Sequence, residues 1–187
     1  MAANSSVSNF SEVRKLIATP ELPELGPGPR AGVLSRPPLE LALDALHARA
    51  RLPITAHQHI RAAVLLWHDH LDAAHQIAQN LPDSGGSVLH GIMHRREPDY
   101  GNAKYWFQRA GPHPAFPVLS RRVAELLQTK KEALLRDELI PSGRWDACGF
   151  VDACERAADQ PISDPQSILL RAIQGLESEV LLEWFCD

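Results

Sequence analysis

Apolar residues along this chain recur at helical rather than alternating intervals. Ile60, Val64, Trp67, Leu71, Ala74 and Ala78 fall on one stripe at about 3.6-residue spacing. They predict a long helix from Thr55 to about Leu81, opened by the capping-box pattern Thr55-Ala-His-Gln58 and stopped by Pro82-Asp-Ser-Gly-Gly86. An earlier helix starts at Ser35, followed by Pro37-Pro38, and runs through the leucine-rich stretch to about Arg51. A shorter helix begins near Ser87 and ends near Pro98, and Asn102–Arg109 forms one or two turns. Gly111-Pro-His-Pro-Ala-Phe-Pro117 interrupts the pattern, because proline removes a donor and clashes inside a helix. Val118–Ile140 reads as a second long helix, and Arg144–Ala158 and Asp164–Phe185 complete the series. Few β-branched runs are present, so strands are not expected. The fold class is all-α: a single irregular bundle of about six or seven helices.

Residues 1–36 differ in character. Thr19-Pro-Glu-Leu-Pro-Glu-Leu-Gly-Pro-Gly-Pro-Arg30 is too rich in proline and glycine for a helix or a central strand. An extended Pro-rich arm over 1–36 and one helical domain over 37–187 are therefore expected.

The polar positions of the long predicted helix are also ordered. At 100° per residue, His57, Arg61, His68, Asp72, His75 and Gln79 share a strip about 60° wide on the shoulder of the apolar stripe. Imidazole and carboxylate at i, i+4 and i+7 can converge on a metal ion or pair for proton transfer. In the next segment His90 and His94 stand one helical turn apart, and Gly91 between them allows another backbone to approach. Glu97 falls seven residues after His90. Arg95, Arg96, Asn102, Lys104, Tyr105 and Trp106 follow, a mixture of charge, amide and aromatic surface that suits a ligand pocket. The short Pro82–Gly86 connection favours antiparallel packing, which sets His75 against His90 and brings the two polar rows across one groove. The spacing thus predicts a combined site: His68, Asp72, His75, His90 and His94 as metal ligands; Asp72, His75 and Glu97 as acid–base groups; Arg95, Arg96, Asn102, Lys104, Tyr105 and Trp106 for substrate. Its cofactor would be one divalent metal (zinc, iron or manganese), with a metal-free Asp72–His75 or Asp72–His68 pair as the alternative.

The segments Trp67-His-Asp-His-Leu-Asp-Ala-Ala-His75 and His90-Gly-Ile-Met-His-Arg-Arg-Glu-Pro-Asp-Tyr-Gly-Asn-Ala-Lys-Tyr-Trp-Phe107 resemble a family of uncharacterised, mainly bacterial proteins. The resemblance covers roughly residues 60–115 and implies that the two segments belong together, without a reaction to carry over. The doublet His68-Asp69 looks like that of HD-domain phosphohydrolases, but Asp69 projects about 100° away from the His68–Asp72–His75 strip. Asp72-Ala-Ala-His75 is similar to the Glu-x-x-His of di-iron bundles, but no second copy accompanies it.

Composition narrows the functions. All nine histidines lie between His47 and His113, whereas the last fifty-one residues carry eleven acids against three arginines. A pI near 6.1 argues against a nucleic-acid surface, and no apolar run approaches the roughly 20 residues of a membrane span. Cys148, Cys154 and Cys186 form no CxxC pair, which fits a reducing cytoplasm. The expected ligand is a small polar or anionic molecule, handled by an enzyme or by a binding or sensor protein. A helical interaction module, which would leave an apolar patch exposed on the C-terminal helices, is the remaining alternative.

Overall fold

The computed structural model describes residues 3–50 and 52–187, with side chains from residue 9 onward. Among them ten α-helices and one short 3-10 turn are found, with no strand. They are α1 (Ala3–Leu16), α2 (Arg36–Arg49), α3 (Ile54–Trp67), α4 (Leu71–Ala78), α5 (Ser84–Arg96), α6 (Tyr100–Ala110), α7 (Phe116–Lys130), α8 (Ala133–Leu139), α9 (Ala147–Ala157) and α10 (Pro165–Cys186). None of the described helices is long and apolar enough to cross a membrane.

Three differences raise the helix number above expectation. The first part of the arm is helical: α1 buries Val13 and packs on α10 and α2. The helix predicted over 55–81 is two helices, because His68 caps α3, Asp69 takes φ 64° and His70 begins α4. The helix predicted over 118–140 breaks likewise at Lys131, with φ 61°. The Thr55 capping box does not form; Pro53 is the N-cap residue, without a side-chain bond. Residues 1, 2 and 51, the last being the expected end of the second helix, lie outside the described residues.

Aspartates fix where the central and C-terminal helices start. Asp83, Asp99, Asp146 and Asp164 each accept a backbone N–H from the first turn of α5, α6, α9 and α10, answering donors that have no partner within the helix. Helix α5 lies at the centre, against α3, α4 and α6, and every residue from Gly85 to Arg96 is buried. Its glycines permit this depth. A Cβ on Gly91 would meet the Phe107 ring of α6 at 3.0 Å, and one on Gly85 would meet the Phe185 ring of α10 at 2.9 Å. Alanine at Gly91 gains about 1 kcal/mol of helix propensity but forces apart two helices in van der Waals contact, at about 1–3 kcal/mol. A net loss of about 1 kcal/mol is expected in urea unfolding of Gly91→Ala; an unchanged midpoint would mean that Phe107 moves aside freely.

Two arginines of α5 organise the interior. Arg95, fully buried, pairs with Glu177 and donates to Gln174 on α10, its guanidinium 4.4 Å from the Phe150 ring centre. Arg96 points the other way, to Asp69 at 2.7 Å, the Gly26 carbonyl at 3.0 Å and the Leu66 carbonyl. Asp69 also accepts from the backbone N–H of Arg30 and from its guanidinium, at 2.9 and 2.6 Å. All three side chains of this Arg30–Asp69–Arg96 cluster are almost wholly buried. The cluster pins the non-helical segment 17–35 onto the α3–α4 break. Gln174 and Arg171 of α10 bond to carbonyls of Leu22, Pro23 and Glu24 and hold the same segment from the other side.

Candidate metal centre

His75 lies in the middle of α4, and His90 and His94 stand one turn apart on α5. Packing of the two helices against each other closes the three rings into a cluster. The ring centres of His75 and His90 are 4.6 Å apart, those of His90 and His94 4.9 Å, and those of His75 and His94 5.4 Å. One nitrogen from each ring lies within 4.8 Å of the others, and no other such group of three His, Cys, Asp or Glu donors occurs among the described residues. A tetrahedral zinc with Zn–N bonds of 2.0–2.1 Å spaces its nitrogens about 3.4 Å apart, so the rings need only small rotations to share an ion.

The surroundings favour neutral rings. His90 is 4% exposed, and burial together with His75, His94 and Arg109 pushes its pKa down to about 4. Its ring stacks on Trp106 with centres 3.8 Å apart, and its Nδ1 is buried without a hydrogen-bond partner. A bound ion would give that nitrogen a partner. His94 is also shifted down by burial, against the opposing pull of Glu97 and Asp99. Its Nδ1 faces those carboxylates at 3.6 and 3.7 Å, and Asn102 Nδ2 lies against the ring, 3.0 Å from Nε2 and 3.4 Å from Nδ1. With the proton on Nδ1, toward the carboxylates, Nε2 is the nitrogen that can coordinate, the arrangement by which carboxylates orient metal-bound histidines.

The remaining predicted site residues are placed differently. The strip projected from His57 to Gln79 does not exist as one face, because the break at Asp69 rotates α4 relative to α3. His68 stands apart from the cluster: its Nδ1 accepts the Leu34 N–H, and its Nε2 donates to the Leu16 carbonyl at 2.7 Å, so neither nitrogen is left for a metal. Asp72 is exposed in the first turn of α4 and belongs to no donor group. Arg95 and Arg96, expected at a substrate, are consumed by the interior partners above. Lys104 pairs with Asp152 on α9, and Tyr105 is 54% exposed. Glu97, Asn102 and Trp106 do border the cluster. Two groups missed in the sequence join them. Asp99 reaches His94, and Arg109 lies over the Trp106 ring at 5.1 Å. The i+4 and i+7 spacing of Trp106 and Arg109 from Asn102 is the signal that could have found Arg109.

The other histidines serve elsewhere. His47 and His57 stack face to face at 4.2 Å, and His59 bridges the Thr55 carbonyl and Asp83. Leu22, Ile162 and Ile168 form an exposed apolar depression, but Trp184 lies sixteen residues beyond Ile168, about 24 Å along α10. A surface cavity of about 500 Å³ between α8, α9 and α10 contains no histidine. Compared with known proteins, the chain matches no family model, no curated protein and no solved structure.

Proposed function

We propose that this protein binds one divalent transition metal (zinc, iron or manganese) through His75, His90 and His94, and acts as an enzyme on a small polar or anionic molecule at the remaining coordination position. The observation that carries this reading is the convergence of three imidazoles, two of them buried and shifted toward the neutral form, on one point between α4 and α5. Three neutral ligands leave a metal ion strongly Lewis-acidic and open to water or substrate, as in catalytic rather than structural zinc sites. Glu97, beside His94, is the group placed to take up or return a proton, and Asp99 holds the ring with it.

The test is elemental analysis of tagless protein purified without chelator or nickel resin, beside a His90→Ala/His94→Ala variant, with circular dichroism to verify that both are helical. The expected result is about one metal ion per chain, lost in the variant. Folded protein that neither carries metal nor binds added zinc, iron or manganese would overturn the reading.

A further inference from the structure

Helix α6 presents a single polar and aromatic face to the cluster. Asn102, Trp106 and Arg109 stand at i, i+4 and i+7, so all three project from one side of the helix. Asn102 touches His94, Trp106 lies flat on His90, and Arg109 covers Trp106. The other face carries Lys104 to its partners on α9. Of the cations near the site, Arg95, Arg96 and Lys104 are already paired, whereas Arg109 is exposed and has no carboxylate partner among the described residues.

We infer that this α6 face is the wall of the site that holds a small oxyanion, with the Arg109 guanidinium binding its oxygens. The inference rests on the metal reading above and deepens it. The half-buried Asn102 amide lies against the His94 ring, 3.0 Å from Nε2 and 3.4 Å from Nδ1, and donates to Asp99 Oδ2 at 3.3 Å, so it belongs to the acidic side of the cluster. Arg109 supplies the charge, and its planar fork matches a carboxylate or a phosphate. Glu97 and Asp99 occupy the His94 side and repel an anion there, so the ligand is directed toward the His90–Trp106–Arg109 end. Indole and guanidinium together give a flat, rigid flank that fixes its orientation.

The experiment uses the full chain loaded with cobalt(II), whose visible bands report the number and kind of ligands. Acetate and inorganic phosphate are titrated separately at constant ionic strength into the wild type, into Arg109→Ala and, as a charge control, into Arg36→Ala. At least one anion is expected to change the bands saturably. Its half-saturation should rise about tenfold or more in Arg109→Ala. Cobalt affinity should stay unchanged throughout, and Arg36→Ala should titrate like the wild type. A response to acetate alone assigns the site to carboxylates, and a response to phosphate alone assigns it to phosphates. Bands that neither anion alters, or an Arg109→Ala variant that titrates like the wild type, overturn the inference while leaving the metal site standing. Failure to bind cobalt at all overturns both, and is seen before any anion is added.

Discussion

Asp69→Asn is expected to lose about 3–5 kcal/mol of stability in urea unfolding. Asparagine keeps the shape of the side chain and tolerates φ 64°, so backbone strain does not enter. What changes is charge. Arg30 and Arg96 are 4% and 2% exposed in their side chains, and the Asp69 carboxylate is the anion between them. Burial already pulls both guanidiniums below their ordinary pKa against the support of Asp69. Without it, two cations face each other out of water with only neutral oxygens for company, the carbonyls of Glu21, Gly26 and Leu66 and the Thr19 hydroxyl. Since a domain's whole stability is about 5–15 kcal/mol, that loss is a large fraction of the total. The exposed pair Arg36–Glu40 supplies the contrast, because Arg36→Ala there should cost no more than about 1 kcal/mol. A loss in Asp69→Asn as small as that of Arg36→Ala would show that water reaches the cluster.

The second large effect is acid destabilisation of the metal-free protein between pH 6.5 and about 4. Five histidines, His47, His68, His90, His94 and His113, are held below their ordinary pKa of 6.5, chiefly by burial, with His47 and His90 at about 4. In this window the unfolded chain binds protons that the folded chain refuses, so unfolding takes up protons and stability rises with pH. The contribution is complete above 6.5 and is lost progressively as the pH falls toward 4. Positive neighbours add to the effect: His75, His94 and Arg109 face His90, and His57 and Arg61 face His47, with Asp44 opposing. Asp83, lowered from 3.8 by the Gly86 N–H and His59, acts only below this range. Urea midpoints measured across the window should fall steeply with falling pH. Bound zinc should move the loss to lower pH, since protons must then displace the ion. A flat profile in metal-free protein would mean that these rings are hydrated.

The helical class and most helix positions are legible in the sequence because 3.6-residue periodicity and aspartate or proline starts are local signals. The neighbourhood of His90 and His94 is legible for the same reason: one turn of helix fixes their separation, and a short connection brings His75 alongside. The two helix breaks are not. Trp67-His-Asp-His70 contains no glycine or proline, and its turn is imposed by bonds to residues far away, from Leu16, Leu34, Arg30 and Arg96. A wheel drawn through that break puts His68 on the face of His75, where it does not lie, while Asp72 stands one turn before His75 in α4 but is exposed and outside the donor group. Arg95 and Arg96 fail for a related reason. Adjacent on a helix, they cannot share a side, but nothing nearby reveals that one meets Glu177 on α10 and the other Asp69. Buried charge is specified by partners distant in sequence, and local pattern carries no information about them.

The complete burial of α5 has a consequence for dynamics. Its amide protons can exchange with solvent only when the helices around it separate, so their exchange should report the opening of the whole molecule. His90 and His94 ride on that slowest element. His75 rides on two turns of helix joined to the rest by His68–His70 and by the turn before Asp83, a segment that can open on its own. Deuterium uptake should therefore be fast around His75 and slow beneath His90, and a bound ion would enter and leave from the α4 side.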